Sequence, residues 1–321
     1  MDYKEEIIGT LSGSQDQFIS GEELADQLHI SRTMIWKYIK SLRSEGYTIE
    51  SVTNRGYKFI EAPDLMLPRE IKKDLKTEFF GKQIYYYNEI DSTNLKAKEM
   101  APECVDGTVI ITERQLKGRG RMGKQWYSPP GGIWFSVILK PDIPPDHIYR
   151  LTLMAGISVV EALEDIGIKA RIKWPNDVTI NEKKVCGILT EVEAQMDCVN
   201  FVIIGIGIDA NIEMDMLPAI MRVSTTSLKE ETGNDIDRVL LVQSLLDRLE
   251  KDYNTYLNGN FDLILNRWKE YSSTLNRRVK IVTRFKSIEG EAVGIDHDGA
   301  LVIEMDDGTL EREITGTCIY L

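Results

Sequence analysis

The residues with most chemistry to offer lie between positions 115 and 211. Gln115-Leu116-Lys117-Gly118-Arg119-Gly120-Arg121-Met122-Gly123-Lys124-Gln125-Trp126 places three glycines and four cations in the eight positions from Lys117 to Lys124, directly after an apolar run. Glycines let a backbone approach an anion and turn N–H groups onto it. Arginine adds planar paired donors that match phosphate or carboxylate oxygens. Such a segment is a candidate anion cradle; a merely solvated basic loop does not need glycine at every second or third position. The order of residues is neither a Walker A loop nor the G-x-G-x-x-G of dinucleotide folds, which sets the standard nucleotide folds aside.

Two further stretches belong with it. In Lys173-Trp174-Pro175-Asn176-Asp177 a proline interrupts a strand-like run, so the Asn-Asp pair projects from a fixed turn. Lys184 follows Asp177 by seven residues and opens Val185-Cys186-Gly187-Ile188-Leu189. Spacing alone leaves it two roles, an ammonium held near an anionic ligand or a surface hairpin lysine. In Gly205-Ile206-Gly207-Ile208-Asp209-Ala210-Asn211 glycines alternate with apolar residues. Glycine inside a strand marks close approach, either of a ligand or of another element.

These segments must be held by ordinary elements. Short apolar, β-prone runs predict strands at Gln83–Glu89, Thr108–Glu113 (a buried one), Ile133–Leu139, Arg171–Trp174, Asp177–Ile180, Val185–Val192 and Phe201–Ile208. Helices are expected at Thr93–Met100, Tyr149–Ile166, a stretch carrying Ile236, Val239, Leu240, Leu246, Leu249 and Tyr253 on one face, and Phe261–Tyr271. Hairpins interspersed with helices indicate an α+β domain with a mixed or largely antiparallel sheet. From Arg278 onward, β-branched runs broken at Asp296-His297-Asp298-Gly299 and Asp306-Asp307-Gly308 predict a small module of five short strands.

The first sixty residues read differently. Ser20 with Glu23 is a capping box opening a helix through Leu24, Ala25 and Leu28, and Ser31 caps a second one. In that second helix Met34, Ile35, Tyr38, Ile39 and Leu42 form one stripe, with Arg32, Thr33, Trp36, Lys37 and Lys40 opposite. Two strands, Tyr47–Val52 and Gly56–Ile60, meet at a turn tipped by Arg55. This is the pattern of a winged helix-turn-helix, whose second helix enters a DNA major groove; the alternative is a helical packing module with a solvated charged face. Trp36 is compatible with either partial burial or exposure. Glu61-Ala62-Pro63-Asp64-Leu65-Met66-Leu67-Pro68 is the expected linker, with Pro68 opening the next helix.

Composition bounds the rest. A chain of 321 residues with 42% apolar residues suggests two or three globular domains. The net charge of −12 argues against non-specific nucleic-acid binding by the chain as a whole. Locally the balance inverts: residues 1–28 hold one Lys against seven acidic residues, whereas 29–60 hold six cations against Glu45 and Glu50. Cys104, Cys186, Cys198 and Cys318 form no CxxC pair, and three scattered histidines do not complete a zinc set. The apolar stretch Leu151–Leu163 is broken by Thr152, Gly156, Ser158 and Glu161, too polar for a membrane span. With an acidic start that lacks a signal-peptide core, a cytoplasmic protein without a membrane partner is expected.

Gly118-Arg119-Gly120-Arg121 with Trp126, Lys173-Trp174-Pro175-Asn176-Asp177, Lys184 with Gly187-Ile188-Leu189, and Gly205-Ile206-Gly207-Ile208, in this order and preceded by Asp91-Ser92-Thr93-Asn94, resemble the biotin–protein ligase family. With the N-terminal module, the likeness extends over nearly the whole chain to the family's bifunctional members, which also repress biotin operons. Lipoate ligases share the catalytic fold but lack this combination of motifs. The resemblance implies a winged helix-turn-helix at 1–63, a class II synthetase-like mixed-sheet ligase domain at 64–275, and an SH3-like small β-barrel at 276–321. It implies biotin, ATP and Mg2+ as reactants, and a biotin carboxyl carrier protein, operator DNA and a second copy of the chain as partners.

The resemblance also assigns residues. Arg119, Arg121, Lys184 and Asp177 would be catalytic. Biotin would meet Ser92, Thr93, Asn94, Gln115, Gly118, Arg119, Gly120, Arg121, Lys184, Gly187, Gly205 and Gly207, with its carboxylate at Arg119 and Lys184. ATP would meet Arg119, Arg121, Trp126, Asn176, Lys184, Asp209 and Asn211, and DNA would meet Ser31, Arg32, Thr33, Trp36, Lys37, Lys40 and Arg55. Family members have a mobile loop over the adenylate, which would correspond to Ile212–Glu231. One departure stands out: the family usually has Asn where this chain has Asp209. Outside the enzyme class, the competing reading is a transcription regulator whose second domain only senses a ligand.

Overall fold

A computed structural model of the chain describes residues 3–14, 17–195 and 198–321. It divides into two compact units, Met1–Leu65 and Met66–Leu321.

In the first unit α1 (Tyr3–Ser12), α2 (Gly21–Leu28) and α3 (Arg32–Ser44) precede a hairpin of β1 (Thr48–Val52) and β2 (Gly56–Glu61). The caps form as the residue types require: Ser20 Oγ accepts from the Glu23 backbone N–H at 3.0 Å and Ser31 Oγ from that of Met34 at 3.3 Å. The α3 stripe closes the core with Ile35, Ile39 and Leu42 buried, while Trp36 stays 54% exposed. Arg43, exposed like the other cations, is tied down at its head: its guanidinium donates to the Ile49 carbonyl and joins helix to strand. Ile19 pairs with Tyr57 through two backbone bonds of 2.8–2.9 Å. Gly56 lies so near that a Cβ there would meet the Ile19 carbonyl oxygen at 2.0 Å.

The second unit begins with α4 (Pro68–Lys73), with proline in its first turn. There follow β3 (Ile84–Ile90), α5 (Thr93–Met100), β4 (Thr108–Gln115), β5 (Ile133–Leu139), α6 (Ile148–Asp165), β6 (Arg171–Lys173), β7 (Asp177–Ile180), β8 (Lys183–Gln195) and β9 (Cys198–Ile208). The chain continues through α7 (Ala219–Arg222), α8 (Leu228–Thr232), α9 (Arg238–Leu257) and α10 (Phe261–Tyr271). It ends in β10 (Arg278–Val282), β11 (Ser287–Ile295), β12 (Leu301–Glu304), β13 (Leu310–Glu313) and β14 (Thr317–Tyr320).

A seven-stranded sheet of order β3-β4-β5-β9-β8-β7-β6 forms the body of this unit. Only β3–β4 is parallel, so the sheet is mixed. Its two faces have different tasks. Phe135, Val137, Ile188, Ile204 and Ile206 pack into one large core with Leu151, Met154 and Val160 of α6, Leu245 and Leu249 of α9 and Trp268 of α10. On the other face Ile110, Ile138 and Ile203 lie under Ala97 and Ala101 of α5. Strand alternation puts Gly187, Leu189, Gly205 and Gly207 on this second face, paired as Gly187 with Gly207 and Leu189 with Gly205. Beside the first turn of α5, the sheet therefore presents a strip nearly free of side chains.

Buried charges lock the surrounding chain. The Glu250 carboxylate accepts backbone bonds of 2.7–2.8 Å from Glu78, Phe79 and Phe80. Glu113 pairs with Arg238 at 2.9 Å, both nearly inaccessible, and accepts from the Met66 N–H at 2.8 Å. The expected C-terminal β module is a five-stranded antiparallel sheet of order β13-β12-β11-β10-β14. The expected loop at Ile212–Glu231 is more structured than its composition suggests: it holds α7 and α8, and Leu217 is buried against Trp134 and Ile212. Among the described residues no helix is long and apolar enough to cross a membrane.

Candidate active site

A cavity of about 400 Å3 opens over the glycine strip. Its inner end is a hydrogen-bond network joining Thr93, Asn94, Gln115, Ser128 and Ser136. The Gln115 side-chain carbonyl accepts from the Thr93 N–H at 2.8 Å and the Thr93 hydroxyl at 3.2 Å, while its Nε2 donates to Ser128 at 2.8 Å. Ser136, fully buried in β5, faces Thr93 Oγ1 at 2.8 Å and Asn94 Oδ1 at 2.7 Å. Asn94 Nδ2 donates to the Leu189 carbonyl at 3.2 Å and to Glu191 at 2.8 Å. Gly205 is glycine because a Cβ there would fall 1.9 Å from Asn94 Oδ1. Such a pocket suits a small neutral group carrying both donors and acceptors.

The outer end carries charge. Lys184 and Asp177 pair at 2.5 Å, and the Lys184 ammonium sits 4.9 Å from the centre of the Trp126 ring. That indole lies on Gly187 and Gly207, where added Cβ atoms would come within 2.9 and 2.6 Å of it, and its Nε1–H is buried without an acceptor. Arg121 reaches in from the glycine-rich loop and donates to Asn176 Oδ1 at 2.7 Å. Asn176 is oriented by its own bond to the Ile188 carbonyl at 2.8 Å. Burial lowers the Arg121 pKa, with the nearby Asp177 carboxylate opposing the shift. Asp209 is 2% exposed, and burial raises its carboxyl well above the ordinary range, with Lys184 opposing.

Two walls come from far along the chain. Arg121 also donates to Thr315 Oγ1 at 2.6 Å and to the Gly316 carbonyl at 3.3 Å, in the turn before β14. Leu217, Met221, Ser224 and Thr225 line the mouth, pinned by Lys184 N–H to Ser224 O at 2.8 Å and Thr226 N–H to Lys184 O at 2.9 Å.

The structure brings together Ser92, Thr93, Asn94, Gln115, Arg119, Gly120, Arg121, Trp126, Asn176, Asp177, Lys184, Gly187, Gly205, Gly207 and Asp209 around this cavity. Gly118 and Asn211 are not among its lining residues. Gly118 serves the loop's own turn: a Cβ there would meet the Trp126 carbonyl oxygen at 2.3 Å. The Asn211 amide is spent on the Ile236 backbone, accepting at 2.7 Å and donating at 2.9 Å. Arg119 lines the cavity but does not stand beside Lys184; it pairs with Glu191 at 3.1 Å. Glu191 lies four residues beyond Gly187 on β8, about 13 Å further along the strand. Sequence reasoning missed Ser136, Glu191 and the Thr315–Gly316 turn. A lone serine within Ile133–Leu139 was the signal for the first; the other two had none, since their partners are distant in sequence.

In the first unit Ser31, Arg32, Thr33, Trp36, Lys37, Lys40 and Arg55 are all exposed. The Ser31 hydroxyl is engaged as the cap, Lys40 lies 5.3 Å from the Trp36 ring centre, and Arg55 4.3 Å from that of Phe18.

Known proteins supply the family. Residues 86–209 match the model of the biotin/lipoate A/B protein ligase family, 4–58 that of an HTH domain, and 274–320 that of the biotin protein ligase C-terminal domain. The bifunctional ligase/repressor BirA of Bacillus spizizenii is 40% identical over 308 residues, covering 95% of each chain. That of Escherichia coli is 32% identical over 292 residues, covering 90% of this chain and 89% of its own. The biotin protein ligase of Aquifex aeolicus, solved in complex with biotin and ATP, superposes with a TM-score of 0.66 at 32% identity, covering 75% of this chain and 99% of that one. This chain belongs to the biotin protein ligase family, on the branch of bifunctional ligase/repressors that carry a helix-turn-helix domain.

Proposed function

We propose that this protein activates biotin with Mg·ATP to biotinyl-5′-adenylate, transfers the biotinyl group to a lysine of a biotin carboxyl carrier protein, and represses biotin genes when the adenylate accumulates. The observation that carries the catalytic part is one cavity with a neutral donor–acceptor pocket at one end and Lys184, Arg121 and Asp177 at the other.

Biotin enters with its ureido ring against Thr93, Asn94 and Gln115 and its carboxylate toward Lys184. The carboxylate oxygen attacks the α-phosphorus, the P–O bond to the β-phosphate breaks, and pyrophosphate leaves. Two anions meet in this step, so the fixed cations of Lys184 and Arg121 lower its barrier, each worth about 3–4 kcal/mol in comparable sites. In the second step the lysine amine of the carrier attacks the acyl carbon, AMP departs, and Asp177 accepts or orients the proton of the amine. The Trp126 face is the surface for the adenine. The metal arrives with the nucleotide. Among the described residues the one triad with ligand spacing, Asp296-His297-Asp298, lies in a C-terminal turn with its carboxylates engaged by Arg312 and Arg150.

The first unit reads the operator: α3 enters the major groove with Arg32, Thr33, Lys37 and Lys40, and Arg55 on the β1–β2 tip meets backbone phosphate. One unit reads one half-site, so a homodimer is the repressing form. Mixing the protein with ATP, biotin and a carrier domain is expected to release pyrophosphate and add one biotinyl mass to the carrier. A ligand-sensing regulator would do neither, and a lipoate-type ligase would require lipoate.

A further inference from the structure

Glu191 has no role in the reading above, yet it touches two walls of the cavity at once. One carboxylate oxygen accepts from Asn94 Nδ2 at 2.8 Å, and the other lies 3.1 Å from the Arg119 guanidinium. Asn94 comes from α5 and Arg119 from the glycine-rich loop; β8 carries Glu191 between them. We propose that Glu191 is a positioning residue for biotin, setting the Asn94 amide oxygen toward the ureido group while tethering the glycine-rich loop over the same end of the cavity.

The argument is one of counting donors. A side-chain amide offers two N–H groups and an oxygen with two lone pairs. In Asn94 both N–H groups are spent, on the Leu189 carbonyl and on Glu191. Its oxygen therefore faces Ser136 and the Gly205 strip, with one lone pair left for a ligand. A cyclic urea presents two N–H groups beside its carbonyl; this orientation turns an acceptor toward a ureido N–H, whereas the reversed amide would set N–H against N–H at that position. Leu189 opposes the reversal too, but a bond to a carboxylate is charge-assisted and the stronger of the two anchors. Glu191 is half-buried, its side chain 25% exposed, so water replaces it imperfectly. The other oxygen joins this orientation to the loop: Arg119 cannot swing away from the inner end without giving up its carboxylate.

This inference rests on biotin being the ligand, and the test separates the two. Biotin and ATP KM values and kcat for pyrophosphate release are measured for wild type, Glu191→Ala and Glu191→Gln, with melting temperatures as a control on folding. Glu191→Ala is expected to raise the biotin KM about tenfold, the loss of one charge-assisted bond, while kcat and the ATP KM stay within about twofold. Glu191→Gln keeps an acceptor for Asn94 but turns an amide toward Arg119. Its biotin KM should return to within about threefold of wild type, while trypsin cuts the loop at Arg119 and Arg121 faster than in wild type. An unchanged biotin KM in Glu191→Ala, equal losses for biotin and ATP, or a Glu191→Gln as impaired as the alanine variant would each overturn the proposal. Wild-type protein with no biotin-dependent pyrophosphate release would overturn the reading of the site itself.

Discussion

At the scale of single residues, the cavity holds two cations and two carboxyl groups close together. Lys184, Asp177, Arg121 and Asp209 line one cavity, and the proposed chemistry adds a carboxylate and a triphosphate. Lys184→Ala and Arg121→Ala should each slow adenylate formation by about a hundredfold or more, the cost of removing a fixed cation where anions meet. Both variants should keep wild-type melting behaviour; near-native pyrophosphate release in either would remove that residue from the chemistry. Asp209 gives a prediction of opposite kind. Burial raises its pKa above the ordinary value of 3.8, so at pH values between the unfolded and the folded pKa the folded state holds a proton that the unfolded state has released. Its contribution is fullest below the unfolded value and is lost as pH rises toward the folded one. Asp209→Asn, which keeps the shape without the charge, should therefore melt higher than wild type at pH 7–8, with the gain vanishing as pH falls to about 4. A difference that does not change with pH would show that the carboxyl pays no burial penalty.

At the scale of elements, local pattern and distant contact part ways. The apolar runs Ile133–Leu139 and Phe201–Ile208 were enough to place both strands, because each is buried along its whole length, on both faces of the sheet. Alternating glycines in β9 announced a close approach but not by what. Asn94 and Trp126, both far away in sequence, are the groups that need the room. Residues whose work is local could be read: the Ser20 and Ser31 caps, Pro68 at a helix start, the Asp-Gly turns of the last sheet. Asn211 and Gly118 lie outside the lining of this cavity: the Asn211 amide bonds the Ile236 backbone, and a Cβ at Gly118 would meet the Trp126 carbonyl oxygen of its own loop. The Thr315–Gly316 turn could not be foreseen, since its partner Arg121 is 194 residues from Thr315. That contact makes the C-terminal sheet part of the active site. Thr315→Val keeps the size but loses the bond to Arg121, typically worth about 1.5–3 kcal/mol with a charged donor. The ATP KM should rise about tenfold with the biotin KM little changed. Equal ATP affinity in the variant would reduce the contact to packing.

At the scale of the molecule, the two units have separate cores. Ile7, Leu11, Leu24, Ile35, Ile39 and Leu42 are buried within the first sixty-five residues, and the large core of the second unit begins at Met66. A chain starting at Met66 should therefore fold and retain ligation within about twofold while losing sequence-specific operator binding. A monodisperse, folded truncation that no longer makes adenylate would show that the first unit supports the active site. The two activities must then be coupled through something other than a common core. A ligand shifts an equilibrium only through different affinities for its two states, and the adenylate has a route to such a difference. It would touch the glycine-rich loop, the segment carrying Leu217 to Thr225, and through Arg121 the C-terminal turn. Ordering these segments together can complete a surface that either of them alone cannot. Two half-sites about one helical turn apart reward a dimer, so a protein loaded with adenylate should dimerise and bind operator more tightly, by about tenfold or more for a coupling of 1–3 kcal/mol. Carrier protein consumes the adenylate and should reverse both effects. Sedimentation and operator titrations with biotin and ATP present, absent, or chased with excess carrier domain measure this directly. Dimer and DNA affinities that ignore the adenylate would leave two activities on one chain with no switch between them.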